Sequence, residues 1–167
     1  MPKSETVDRV NIRVADEVFI ATALLHRENP ERDSFTIPEI VDRAAKENLH
    51  GFPRPGVGVH AWRHCVANAV PDPNRYKMLY ATSRHTRRLL RSTDDVHPQR
   101  TGKTWPDPDQ IPERYRELVD WVKEQFGESS MSGQWLGGVL ELRGAGAKLW
   151  SSEDADDYVR RLREDWT

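Results

Sequence analysis

Four arginines lie within eight positions of one another in the stretch SRHTRRLLR. They are Arg84, Arg87, Arg88 and Arg91, and His85 stands among them. Guanidinium groups form charge-assisted hydrogen bonds with phosphate oxygens and fit the narrow minor grooves of DNA. The residue types and their spacing therefore predict contacts with the phosphates of a nucleic acid.

A second set of polar residues precedes the arginines, in the segment VHAWRHCVANAV. If this segment is one helix, apolar residues such as Val59, Trp62 and Val66 share one face. The opposite face carries His60, Arg63, His64 and Asn68. Such side chains can bond base edges or phosphates. His60 and His64 also have the spacing of a metal pair, but no carboxylate or cysteine set completes a site, so we predict neither metal nor cofactor.

The composition argues against a membrane or secreted protein. The chain has 167 residues, a net charge of -2 and one cysteine, and its mean hydropathy is -0.79. No apolar run approaches the roughly 20 residues of a membrane helix. The N-terminal residues lack the apolar stretch of a secretory signal. We therefore predict a cytoplasmic protein with no membrane partner, since a single cysteine suits a reducing compartment.

Charge is distributed unevenly along the chain. Residues 54–105 contain ten basic and three acidic residues, whereas residues 106–167 contain eight basic and fourteen acidic residues. This distribution predicts a basic working face followed by an acidic segment with another role. The alternative is random clustering in a highly charged protein.

Hydrophobic periodicity predicts three helices in the first half of the chain. The first covers residues 7–27 and the third covers residues 59–70. The second begins near Thr36, and Glu39 three positions later completes the pattern of a capping box. Beyond these helices, residues 75–91 have the composition of two strands joined by a turn near Ser83 to Thr86.

Three helices followed by a hairpin is the order of elements in a winged helix-turn-helix. In that fold the third helix enters the major groove, and the hairpin, or wing, lies along the DNA backbone or minor groove. The predicted fold is mainly α with a β-hairpin. It comprises a winged-helix domain (1–92), a linker (93–112), an extra helix (113–127) and an extended partner-binding tail (128–167). On this model the leucines of the wing face inward and its arginines face outward or lie at the tip.

Residues 13–110 resemble a prokaryotic winged-helix family. The resemblance rests on GVHAWRHCVANAVPDPNRYKMLYAT, RHTRRLLRSTDD and HPQRTGKTWPDP. Sequences of that kind have a glycine after the first wing arginine, where this chain has His85. The predicted DNA-binding residues are His60, Arg63, His64, Asn68, Arg84, His85, Arg87, Arg88 and Arg91. Because winged helices also bind RNA or protein, the fold alone leaves the ligand open.

The C-terminal stretch VLELRGAGAKLWSSEDADDYVRRLREDW is similar to the ends of small bacterial antitoxins, notably those that oppose PIN-domain ribonucleases. In such antitoxins the tail wraps the toxin, although their DNA-binding parts are more often ribbon-helix-helix or swapped-hairpin folds. The resemblance implies a protein-binding set of residues: Leu140, Leu142, Leu149, Trp150, Tyr158, Arg161, Leu162 and Trp166. Large apolar side chains among glycines suit a segment that orders on a partner.

The sequence therefore predicts an antitoxin-like transcriptional regulator that binds double-stranded DNA and neutralises a cognate protein toxin, with a homodimer left open. The alternative is a winged-helix DNA-binding or adaptor protein without a toxin, whose tail packs on itself or on a dimer mate. We do not expect an enzyme, because the sequence contains no Gly-rich phosphate loop, nucleophile elbow or metal-ligand cluster.

Overall fold

The computed structural model describes residues 11–127. Its helices are α1 (Val14–Glu28), α2 (Ile37–Glu47), α3 (Gly56–Val59) and α4 (Arg116–Phe126), with 3-10 turns at Pro108–Gln110 and Glu113–Tyr115. A π-helical turn, His60–His64, continues α3 directly, and we call residues 56–64 the third helical segment. The strands are β1 (Phe35–Thr36), β2 (Leu79–Ala81) and β3 (Thr86–Leu89). Over this range no helix has both the length and the apolar character needed to cross a membrane.

The strands form one antiparallel sheet in the order β1-β3-β2. The predicted hairpin is present, with Leu79 opposite Leu89 and Tyr80 opposite Arg88. Strand β1 was not predicted. It has only two residues, so it carries no alternation that a sequence pattern could show. The described residues thus form a mixed fold of four helices and a small sheet.

Helix α1 is the centre of the core. Phe19, Ile20 and most of their neighbours on this helix are buried, and both α2 and α4 pack against it. The predicted capping box at the start of α2 is confirmed, because Thr36 and Glu39 exchange side-chain and backbone hydrogen bonds. Helix α4 confirms the extra helix and adds Leu118, Val119 and Val122 to the same core.

The third helical segment ends earlier than predicted. A helix was expected to continue to residue 70, but the helical backbone stops at His64. The next residues turn to the hairpin instead: the Cys65 carbonyl accepts hydrogen bonds from the backbone N–H groups of Met78 and Leu79, and Val66 forms a bridge with Leu79. Pairing with β2 therefore replaces the last helical turns.

Residues 93–112 pack on the folded unit, whereas the sequence analysis treated them as a linker. Arg100 is only 2% exposed, and Ile111 belongs to the core. The backbone at Gly102 approaches Arg75 so closely that a Cβ atom would lie 2.5 Å from the Arg75 carbonyl oxygen. The polar and proline-rich composition of this segment reflects its irregular backbone and does not make it a free tether.

Candidate nucleic-acid interface

A groove lies between the third helical segment and the hairpin. Its volume is about 670 Å³. We call it the helix–hairpin groove, and its walls are formed by Val59, Trp62, Arg63, Val66, Ala69, Val70, Ala81, Ser83, Arg84 and Arg87. Arg63 and Arg84 are exposed in this lining, Arg87 is buried behind it, and none of the lining residues is a carboxylate.

Arg63 and Arg84 stand on opposite walls of the helix–hairpin groove, and both are exposed. The side chain of Arg63 is 64% exposed and its Nε lies 3.1 Å from Asp72 Oδ2. An exposed ion pair of this kind contributes about 0–1 kcal/mol, so a phosphate can replace Asp72 at little cost. These two predicted residues are therefore available to an anionic ligand.

The tip of the hairpin holds Arg84 and His85 outward. Ser83 Oγ lies 2.6 Å from Thr86 Oγ1 and accepts a hydrogen bond from the His85 backbone N–H. Within residues 11–127, the one non-glycine residue with positive φ is Asn48, so the backbone at His85 is not left-handed. The turn thus needs no glycine at position 85.

Arg87 is buried, which corrects the prediction that it faces outward. Its Nε donates to the Ala61 carbonyl, one terminal nitrogen donates to the Trp62 carbonyl, and the other donates to the Ser83 carbonyl at 2.8 Å. It is 3% exposed, and burial lowers its pKa. Arg87 therefore fastens the third helical segment to the hairpin tip and cannot reach a phosphate without breaking these bonds.

Arg88 is also interior, contrary to the prediction. Its two terminal nitrogens each lie 2.6 Å from an oxygen of Asp94, and its guanidinium lies over the Tyr80 ring. Burial acts to raise the pKa of Asp94, but hydrogen bonds from Arg88 and from the Arg91 backbone outweigh it, and the pKa is lowered. The pair is a two-pronged ion pair with little access to solvent.

Arg91 lies at the far end of the hairpin from Arg84. Its side chain forms an ion pair with Asp33 and is 38% exposed. It does not line the helix–hairpin groove. Of the four clustered arginines, Arg84 lines the groove and is exposed within the described part of the chain. Arg87 supports the groove from behind, and Arg88 and Arg91 lie elsewhere.

The predicted polar face of the third helix is divided by the fold. His60 is half-buried and its Nδ1 lies 2.9 Å from the Gly56 carbonyl oxygen, and burial lowers its pKa. His64 packs edge-on against His60, with 4.8 Å between ring centroids. Neither histidine lines the helix–hairpin groove. Arg63 alone of this helical set faces it.

Asn68 was predicted on the helix and lies beyond its end. Its Oδ1 accepts a hydrogen bond from the Ala81 backbone N–H, and its Nδ2 donates to the Ala81 carbonyl. The side chain therefore mimics a neighbouring strand and extends the pairing of β2. The amide oxygen and the amide nitrogen of Asn68 each hold a hydrogen bond to Ala81, so this side chain has a supporting role beside the groove.

Sequence reasoning missed two features of this region. Val59 and Trp62 were placed together on the apolar face of the third helix, and they are 51% and 58% exposed. The buried face consists instead of Val57, Ala61 and Cys65 at four-residue spacing, which leaves Val59 and Trp62 outward.

The second missed feature is Arg100, whose guanidinium donates only to backbone carbonyls. The acceptors include those of Arg63 and His64 at the end of the third helical segment and that of Tyr76 before β2. Because these partners are 24 to 37 residues away in sequence, no local pattern indicates this role. Arg100 fixes the loop behind the groove.

Two other predictions concern metal binding and the C-terminal residues. Between residues 11 and 127 there is no group of three or more His, Cys, Asp or Glu side chains that could hold a metal ion. The eight tail residues predicted to bind a protein partner lie outside the described residues.

Comparison with known proteins gives no further guide. No protein-family model matches the chain, and neither a curated protein nor a solved structure matches it. Function must therefore be inferred from the geometry of the helix–hairpin groove.

Proposed function

We propose that this protein is a winged-helix DNA-binding protein that contacts a duplex with its third helical segment and its hairpin. The order helix, strand, helix, helix, strand, strand, with β1 beside β3, supports the winged-helix assignment. The observation that carries the proposal is the pair of exposed cations, Arg63 and Arg84, on opposite walls of a groove that no carboxylate lines. Such an arrangement suits phosphates on two sides of a DNA groove.

Arg87 adds to this field although it touches no ligand. Among residues 11–127, its hydrogen-bond acceptors are backbone carbonyls, and none is a carboxylate. A cation held by carbonyls behind the groove raises the local positive potential for an approaching polyanion. The effect is weaker for a neutral or mixed-charge partner.

The test is a salt series of binding to a random-sequence duplex, measured by fluorescence anisotropy. We expect a steep loss of affinity with salt, and Arg63→Ala or Arg84→Ala should each reduce the slope of log affinity against log salt by about one unit. Arg116→Ala is the matched control, because Arg116 is exposed on α4, away from the groove. A slope near zero in the unaltered protein would contradict DNA binding.

From the resemblance of its C-terminal residues to antitoxin tails, we also propose that residues 128–167 bind a protein toxin of the PIN-ribonuclease class. The protein would then be a cytoplasmic regulator, as a homodimer if its operator is two-fold symmetric. Co-expression with the product of the adjacent gene tests this: removing residues 128–167 should abolish co-purification and leave duplex affinity unchanged. An adjacent gene that encodes no ribonuclease would argue against the toxin.

A second candidate function is an adaptor whose groove binds protein. The exposed apolar side chains of Val59, Trp62 and Val70 favour it, since apolar patches rimmed by polar residues mark interaction sites. The same salt series distinguishes the two functions, because an adaptor should show little affinity for the duplex and almost no change of that affinity with salt.

A further inference from the structure

Exposed apolar side chains are concentrated in the helix–hairpin groove. Among the residues that the structure describes, five large apolar side chains are exposed: Phe52, Val59, Trp62, Val70 and Val96. Three of them, Val59, Trp62 and Val70, line this groove. The same groove carries the exposed cations Arg63 and Arg84, so it combines a positive rim with apolar walls.

Val59 and Trp62 are held in place by the backbone beneath them. They are three residues apart, so they lie on neighbouring turns of one helical face. Arg87 binds the carbonyls of Ala61 and Trp62, which fixes this part of the helical segment against the hairpin. The two apolar side chains are therefore presented on a rigid support, as base-reading residues must be.

The chemistry of the groove restricts its ligand. A lining with two exposed arginines and no carboxylate favours a polyanion, and the exposed apolar side chains favour a polyanion that also presents an apolar group. In duplex DNA the base edges of the major groove carry one such group, the 5-methyl group of thymine. We propose that Val59 and Trp62 contact thymine methyl groups and so give this protein a preference for A·T-containing major-groove sites. This inference rests on the DNA-binding function proposed above.

The probes are two duplexes that differ only in this methyl group: the alternating dA-dT copolymer and the alternating dA-dU copolymer. Affinities of the full chain for both are measured by competition anisotropy at one salt concentration. We expect the dA-dT duplex to bind more tightly, by about fourfold for each methyl group that is buried. The phosphate charges are the same in both probes, so charge does not produce the difference.

Variants show whether the preference belongs to this groove. Val59→Ser and Trp62→Gln should each reduce the ratio of the two affinities towards one, and chiefly by weakening binding to the dA-dT duplex. Val96→Ser is the matched control, because Val96 is an exposed valine outside the groove, and it should keep the full ratio. Circular dichroism checks folding, which these exposed positions should leave intact.

Three results would overturn the inference, and they can be told apart. Salt-dependent binding with equal affinity for both duplexes removes methyl recognition and leaves the proposed DNA binding standing. If neither duplex binds, both methyl recognition and the proposed DNA binding are contradicted. If Trp62→Gln changes the sedimentation of the protein alone, with the duplex ratio unaltered, the groove is an interface between copies of this chain.

Discussion

The tip and the base of the hairpin both contain arginines, but these arginines have different roles. At the tip, Arg84 is exposed and lines the helix–hairpin groove. At the base, Arg88 is closed into an ion pair with Asp94, and between the two Arg87 is bound by carbonyls. A cluster of basic residues in the sequence is therefore not one functional unit in the folded protein. The fold assigns each residue a role according to the acceptors that lie within reach of it.

The largest effect should come from breaking the ion pair at the base. Arg88→Met leaves the Asp94 carboxylate in a site with little solvent, because both side chains are under a tenth exposed. Removing one partner of a buried pair costs about 3–5 kcal/mol in the free energy of unfolding. Urea denaturation measures it. Adding Asp94→Asn should recover part of the loss, and failure to recover any would show that the charge of Asp94 is not the cause.

The stability of the hairpin base should also decrease at acid pH. His26 Nε2 accepts a hydrogen bond from the Leu89 backbone N–H, and burial, assisted by Arg91, lowers the pKa of His26 from 6.5 to about 4. Between pH 6.5 and about 4, His26 therefore binds a proton in the unfolded chain and stays neutral in the folded chain. The contribution of His26 to the free energy of unfolding is complete above pH 6.5. It decreases as the pH is lowered from 6.5 to about 4, by about 3 kcal/mol in total.

Urea denaturation across that pH window tests the His26 prediction. His26→Gln is the comparison variant, since its amide oxygen can still accept from Leu89 and does not titrate. We expect its stability curve to be flatter between pH 6.5 and 4. Identical slopes in the two proteins would assign the acid sensitivity to other groups, such as the carboxylates that titrate at lower pH.

The middle of the hairpin should show an intermediate effect. Arg87→Met removes the donors to the carbonyls of Ala61, Trp62 and Ser83, and an unpaired buried carbonyl is costly. We expect a loss of about 2 kcal/mol in the free energy of unfolding, which is the cost of leaving a buried polar group unpaired. Calorimetric melting measures it. Arg87→Lys should recover little, since an ammonium group does not have the planar fork that reaches these acceptors.

The smallest effect on stability should be at the tip. Arg84→Met removes an exposed side chain outside the core, so the free energy of unfolding should change by less than about 0.5 kcal/mol. The same variant should lose one unit of salt slope in duplex binding, as argued above for Arg84→Ala. A large loss of stability here would remove the distinction between tip and base.

Local features of this protein were predictable because their partners are close in sequence. The capping box of Thr36 and Glu39 uses residues three apart, and α4 has a complete apolar stripe before Gly127. The hairpin also follows from local signals, since its strands are separated by only four residues. In each case the interacting groups and the pattern that announces them lie within one stretch of chain.

What only the tertiary structure decided depends on partners that are distant in sequence. The third helical segment ends at His64 because the residues after it pair with β2. Arg100 is buried because carbonyls from the end of that segment and from the loop before β2 converge on it. Arg87 faces inward because Ala61 and Trp62, 25 to 26 residues earlier, present free carbonyls to it. A sequence states which residues carry charge, but burial and acceptor geometry are properties of the packed chain, and these left Arg63 and Arg84 as the cations that face the groove.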